Sequence, residues 1–252
     1  MRILFLANNW LGVECLRIAK EHGLEIVCLV VAPEAKAKYR DEIVACADLP
    51  SSNVFDGATL KEHDVLERIQ SLKPQLGISV LFTEILSVNF LNLFPGGCLN
   101  LHPAYLPYNR GAYPNVWPII DGTPAGVTLH YIDTGLDTGD IISQRIVPVH
   151  VTDTGETLYR RLEQASLALF LDEIENIKSG KLIAKAQEEA NASAHSIREC
   201  RDLDRIDLEA SYRAVDLLNL LRARSFPPHK GAYFLHQGRK VFLELRLIEE
   251  ES

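Results

Sequence analysis

The opening of the chain constrains its fold more than any other stretch. Ile3 to Ala7 is an apolar run without alternation, as expected of a strand buried on both faces. Leu11, Cys15 and Ile18 then recur at helical spacing until Gly23 stops the helix. Ile26 to Ala32 is a second apolar run, ended by Pro33. A strand, a helix and a strand of this kind join by a right-handed crossover, which makes the two strands parallel neighbours in one sheet. An α/β architecture follows.

The pattern continues along the chain. Helix is expected over residues 61–72, a strand over 75–82, a helix from Glu84 to Leu93, and a strand from Cys98 to His102. Further strands fall at 127–132 and 141–149. A long helix begins near Asp153, with Glu156 three residues on as a capping box and Leu158, Leu162, Ala165 and Leu169 as its core stripe. Gly180 ends it. Residues 184–205 are polar and rich in small side chains, which reads as a connection. A last helix over 211–224 stops at Pro227-Pro228. The tail from 232 to 247 alternates around Gln237-Gly238, a hairpin signal. Its apolar face, Val241, Leu243 and Leu245, needs cover, because a two-stranded ribbon is marginal alone. The expected organisation is an open α/β domain over 1–180 and a small helix-plus-hairpin appendage over 181–252.

The 252 residues are 47% hydrophobic and 24% charged, values ordinary for a globular enzyme or binding domain. A formal charge of −8 disfavours nucleic acid as a partner, since phosphate binding draws on a Lys and Arg excess. The five cysteines lack paired ligand spacing and several sit in apolar runs, so they read as reduced thiols of a cytoplasmic protein. No stretch approaches the roughly 18 apolar residues of a membrane span, and the first apolar run is too short for a signal peptide. The expectation is a chain with no membrane partner.

The loop after the first strand, Ala7-Asn8-Asn9-Trp10-Leu11-Gly12, lacks the glycine trio that brings backbone amides to a pyrophosphate. A nicotinamide or flavin cofactor is thereby disfavoured. Asn9 and Trp10 instead offer an amide and a flat face to a polar ligand, or Trp10 packs on the core of an ordinary loop.

Asn100 and His102 lie two apart in one strand, so both side chains project to one face and Leu99 and Leu101 to the other. Pro103 ends the strand, placing the pair at its carboxyl end, where clefts of open sheets form. An amide beside an imidazole can hold and protonate a developing oxyanion; the same pair can also simply cap a strand. The stretch Asp133 to Asp140 reads as a turn, and its acids lack the spacing of a calcium loop. It could equally bring a carboxylate to His102, stabilising the charged ring and fixing which nitrogen faces a substrate.

Asn100-Leu-His-Pro-Ala-Tyr-Leu-Pro-Tyr-Asn-Arg-Gly111, followed by Leu136-Asp-Thr-Gly-Asp-Ile141, resembles the formyltetrahydrofolate-dependent formyltransferases. The resemblance implies a Rossmann-like formyltransferase fold with an open, mostly parallel sheet. It implies 10-formyltetrahydrofolate as co-substrate and no metal. Asn100 would stabilise the oxyanion, His102 act as general acid, and Asp137 orient and tune His102. Glu84, Ile85 and Leu86, with Asp133, Thr134, Gly135 and Leu136, would line the pterin pocket.

Within that family the sequence is most similar to the sugar-nucleotide N-formyltransferases. Tyr108-Asn-Arg-Gly111 with Tyr113-Pro-Asn115 resembles their loop, and Leu220 to Pro228 with Gly231-Ala-Tyr233 resembles their appendage. The implied substrate is a nucleotide-linked amino sugar, commonly aminated at the fourth carbon. Asn9, Trp10, Tyr105, Asn109 and Arg110 would contact it, Arg110 by pairing with a diphosphate. Ala104-Tyr105 departs from many relatives at this point. Methionyl-tRNA formyltransferases carry a longer basic C-terminal domain, and formyltetrahydrofolate hydrolases an extra N-terminal one. The resemblance also implies a homodimer.

Overall fold

The computed structural model describes residues 1–250. Its main sheet starts with β1 (Arg2–Ala7), β2 (Glu25–Val31), β3 (Val54–Asp56), β4 (Leu76–Val80) and β5 (Cys98–His102). A short β6 (Arg110–Gly111) lies outside it, before β7 (Gly126–Tyr131) and β8 (Ile141–Ile146) complete it in the order β3-β2-β1-β4-β5-β7-β8. β1 to β5 are parallel, and β7 runs antiparallel to β5. The order reverses between β1 and β4, whose carboxyl ends meet where Asn8 N–H donates to the Val80 carbonyl at 3.1 Å. Ligands of open sheets bind at such a reversal.

The helices in chain order are α1 (Asn9–Glu21), α2 (Arg40–Ala47), α3 (His63–Ser71), α4 (Val88–Leu91), α5 (Trp117–Asp121), α6 (Gly155–Ser179), α7 (Ile197–Asp202) and α8 (Ala214–Ala223). α1 buries Leu11, Cys15, Leu16 and Ala19, and α3 buries Val65 and Ile69, the stripes that a 3.6-residue period produces. Leu4, Leu6, Val30, Phe55, Ile69 and Phe90 share one core. Each such side chain contributes about 1.5–3 kcal/mol by leaving water. The cysteines are free; four are buried, and burial raises the thiols of Cys15, Cys28 and Cys98 far above their ordinary range.

The chain forms two compact units. One comprises residues 1–102, 128–144 and 166–187; the other comprises 103–127, 145–165 and the chain from 188 onward. Spatial packing thus groups 103–127 and 145–165 with the tail, where a single cut at 180 separates them.

Several expected elements differ. The helix expected over 84–93 is confined to α4, because Ser87 Oγ accepts the Phe90 N–H and starts the helix there. Reciprocal capping at α6 is made by Thr154 and Thr157, at 3.2 and 2.9 Å, while Asp153 pairs with Arg161. The stretch 184–205 is more than a connection: it holds β9 (Ala194–His195), paired with β6, and α7, whose capping box is Ser196 with Glu199. The hairpin of β10 (Tyr233–His236) and β11 (Arg239–Phe242) turns at Gln237-Gly238, both left-handed with φ of 47° and 75°, the twist a two-residue hairpin requires. Beyond the last ladder pair, Tyr233 with Phe242, Leu243 N–H still donates to the Ala232 carbonyl at 2.8 Å, and Leu245 N–H turns to Ser225 Oγ at 3.0 Å. The expected apolar row of Val241 and Leu243 thus lies on the ribbon, while Leu245 is tied to the end of the preceding helix. Among the described residues no helix is long and apolar enough to cross a membrane.

Candidate active site

Register places a polar row on an otherwise apolar sheet. Asn100 on β5 lies opposite Ser79 on β4 and His130 on β7, and His102 lies opposite Thr128. Opposed residues share a face, so these side chains gather on one side. Gln144 of β8 extends the row by donating to Thr128 Oγ1 at 2.9 Å. His102 is 7% exposed and His130 1%, so the two rings are shielded from water, while Asn100 and Gln144 are half-buried.

Asp137 turns into this row. Its Oδ2 stands 3.5 Å from His102 Nε2 and its Oδ1 stands 3.8 Å from His130 Nε2. His102 Nε2 is buried and makes no hydrogen bond, and the Asp137 carboxylate lies within ion-pair distance of it. Asn100 Nδ2 lies 3.2 Å from His130 Nε2, and the two imidazoles stand edge to face at 6.2 Å. Burial, and next the nearby His102, push the His130 pKa down to about 4 against the pull of Asp137, so this ring is neutral at physiological pH. The arrangement combines an amide, an imidazole and a carboxylate in one corner of the sheet, where fixed donors can stabilise a developing negative charge.

The turn that carries Asp137 is held from three sides. Asp133 Oδ1 accepts from Gly135 N–H at 3.0 Å and from Thr138 Oγ1 at 2.6 Å. Asp137 itself is left-handed, with φ of 54°, a conformation that Asp tolerates better than most residues. Gln187 Nε2 donates to the carbonyls of Asp137 and Gly139, both at 2.8 Å. At Gly139 a Cβ would fall 1.9 Å from the Tyr131 carbonyl oxygen, so the turn lies flat on β7 only because that residue has no side chain.

Sequence reasoning missed His130 and Gln187. The first was legible in principle from alternation in Val127-Thr128-Leu129-His130, which puts Thr128 and His130 on one face. Gln187 carries no local signal.

The other expected residues are placed as follows. Glu84 is paired with Lys36 at 2.6 Å, Ile85 is 90% exposed, and Leu86 is half-buried against the core. Asp133, Thr134, Gly135 and Leu136 are exposed on the turn. Asn9 is left-handed at φ 64°, and its Oδ1 accepts the Trp10 N–H at 2.8 Å; Trp10 is half-buried in the first turn of α1. In the second unit, Tyr105 packs over Gly126. Asn109 is fully buried, with Nδ2 donating to Thr123 Oγ1 at 2.9 Å, so it shapes its loop and presents no surface to a ligand. Arg110 is 6% exposed and makes a two-pronged pair with Glu189 at 2.7 and 3.1 Å, so its guanidinium tethers the loop to the stretch beside β9.

Residues 1–174 match the family model described as formyl transferase, and residues 199–250 match the N-formyltransferase dimerization C-terminal domain. The chain is 30% identical to a methionyl-tRNA formyltransferase of Alkaliphilus oremlandii over 257 aligned positions, covering 100% of this chain and 82% of that protein. It is 34% identical to a dTDP-4-amino-4,6-dideoxyglucose formyltransferase of Mycobacterium tuberculosis over 195, covering 75% and 80%. The crystal structure of a sugar N-formyltransferase from a Shewanella species shares the fold, with a TM-score of 0.86 at 23% identity, covering 100% of this chain and 99% of that one.

Proposed function

Since the chain belongs to the formyl transferase family, we propose that it moves the formyl group of 10-formyltetrahydrofolate onto the amino group of a nucleotide-linked amino-deoxy sugar, a 4-amino-4,6-dideoxyhexose. The observation that carries the chemistry is the Asp137 carboxylate 3.5 Å from His102, on the sheet face shared with Asn100.

In this reading the neutral amine attacks the formyl carbon, and the carbonyl electron pair moves onto oxygen. Asn100 and a ring N–H of His102 donate to that oxyanion, each good donor being worth about 3–4 kcal/mol. The proton leaving the attacking nitrogen passes by way of Asp137, the bond from carbon to the folate nitrogen breaks, and that nitrogen takes up a proton. The folate lies at the reversal of strand order, against the loop Glu84 to Leu86 and the turn Asp133 to Leu136. Ile85 and Leu136, 90% and 54% exposed, support this assignment, because apolar side chains held in water suit the face of a pterin. Asn9, Trp10, Tyr105 and Arg110 serve the nucleotide sugar, with Glu189 yielding Arg110 to the diphosphate.

The sugar substrate is favoured by the tail's match to a dimerization domain and by the net charge of −8, and the tail joins two copies into a homodimer. The reaction is placed in the cytoplasm, on a path towards cell-surface polysaccharide. Methionyl-tRNA is the second reading, favoured by 30% identity over the whole chain. A panel of amino sugar nucleotides and methionyl-tRNA, each with 10-formyltetrahydrofolate, decides between them. Tetrahydrofolate should appear only with an amino sugar nucleotide. Release with methionyl-tRNA alone, or with no amine at all, would overturn the assignment.

A further inference from the structure

An asparagine that stabilises an oxyanion must present nitrogen to it, not oxygen. The two ends of a carboxamide have nearly the same shape, so packing alone cannot choose between them. The choice has to come from a hydrogen-bond partner of fixed polarity, and at Asn100 that partner is His130.

The polarity of His130 follows from its surroundings. Its Nδ1 lies 2.7 Å from the Tyr131 carbonyl oxygen, which can only accept, so Nδ1 carries a hydrogen. Burial, with 1% of the residue exposed, favours the neutral ring, so Nε2 keeps its lone pair. At 3.2 Å that lone pair can accept from Asn100 Nδ2 and cannot donate to Oδ1. We infer that His130 is a positioning residue for formyl transfer, its bare Nε2 holding the Asn100 amide so that the second Nδ2–H faces the reacting oxygen. This rests on the oxyanion role proposed for Asn100.

The groups around the ring set the condition for this lock. Asp137 at 3.8 Å and the more distant Asp133 favour a charged ring; His102, edge-on at 6.2 Å, and burial oppose it. A protonated His130 would donate from both nitrogens. The Asn100 amide would then turn over, and its carbonyl would face the developing negative charge.

The test has two arms. Long-range proton–nitrogen NMR of the unliganded protein reads the His130 ring directly. It should show the neutral form protonated on Nδ1 from about pH 5.5 to about pH 8. A hydrogen on Nε2 anywhere in that range overturns the inference, whichever amine the enzyme uses. The kinetic arm uses the amine found active in the panel. His130→Phe should lower kcat by about thirtyfold or more with KM for folate nearly unchanged, and His130→Gln, whose carbonyl oxygen can accept in place of Nε2, should recover most of the rate. Adding His130→Phe to Asn100→Ala should cost nothing further, because the lock then has nothing to hold. A wild-type kcat in His130→Phe, or fully additive losses, would reject the role. Failure of every amine would count against the proposed function and leave the ring measurement to judge His130.

Discussion

The carboxylate of Asp137 stands between two imidazoles that answer it differently. His102 Nε2 lies 3.5 Å from that carboxylate and makes no hydrogen bond, whereas His130 spends both nitrogens on Tyr131 and Asn100. Neutrality at His130 has a thermodynamic consequence. Its folded pKa, near 4, lies below the roughly 6.5 of an unfolded histidine. The unfolded chain therefore binds more protons between those values, and stability falls as pH drops from about 6.5 towards about 4. Above about 6.5 the ring contributes no pH dependence. Melting temperatures of the native protein and of His130→Gln, followed from pH 7 to pH 4.5, should diverge, with the native protein losing more. Carboxylates remote from the ring affect both proteins equally, so the difference reports the ring together with its contact to Asp137. Parallel curves would mean that the His130 ring takes up its proton over the same pH range in the folded and unfolded chain.

At the scale of elements, the position of Asp137 is a property of its turn. Gly139 lies so close to β7 that a methyl group would sit 1.9 Å from the Tyr131 carbonyl, and no backbone adjustment of a few tenths of an ångström relieves that. Gly139→Ala should therefore push the turn off the strand, lowering kcat by about tenfold or more and stability by about 1–3 kcal/mol. Steady-state kinetics beside a urea titration would show both losses, and an unaffected rate would show that the turn is not what places the acid. The same scale separates what the sequence revealed from what it concealed. β1 and β2 were legible because strands buried on both faces are unbroken apolar runs, and β5 because Asn100 and His102 alternate with Leu99 and Leu101. β3 has three residues and α7 six, too few for a period to register, and their ends are set by contacts distant in sequence. The helix expected from Glu84 was misled by Ile85 and Leu86, which extend an apolar pattern that the Ser87 cap cuts off. Asn100 and His102 were visible from alternation within one strand. His130 needed the antiparallel register of β7 against β5, and Gln187 needed the fold itself.

For the molecule as a whole, the apolar surface left in water is concentrated in the tail. α8 carries Val215, Leu217, Leu218, Leu220 and Leu221, and none of these is buried; Val215 and Leu218 are 48% and 45% exposed. Tyr212 before the helix and Val241 and Phe242 on the hairpin are exposed as well. A ten-residue helix with so much apolar surface in water is unfavourable, because each uncovered side chain forgoes part of the about 1.5–3 kcal/mol that burial returns. Exposed apolar surface of this kind marks an association site, and the match of residues 199–250 to a dimerization domain supports a second copy as the cover. Light scattering at micromolar concentration should give the mass of two chains. Val215→Glu with Leu218→Glu should reduce it to one, because neither side chain supports the core of its own subunit and two buried carboxylates cannot be tolerated at a shared face. An unmodified protein that remains monomeric at that concentration would remove the reason for α8 to be apolar.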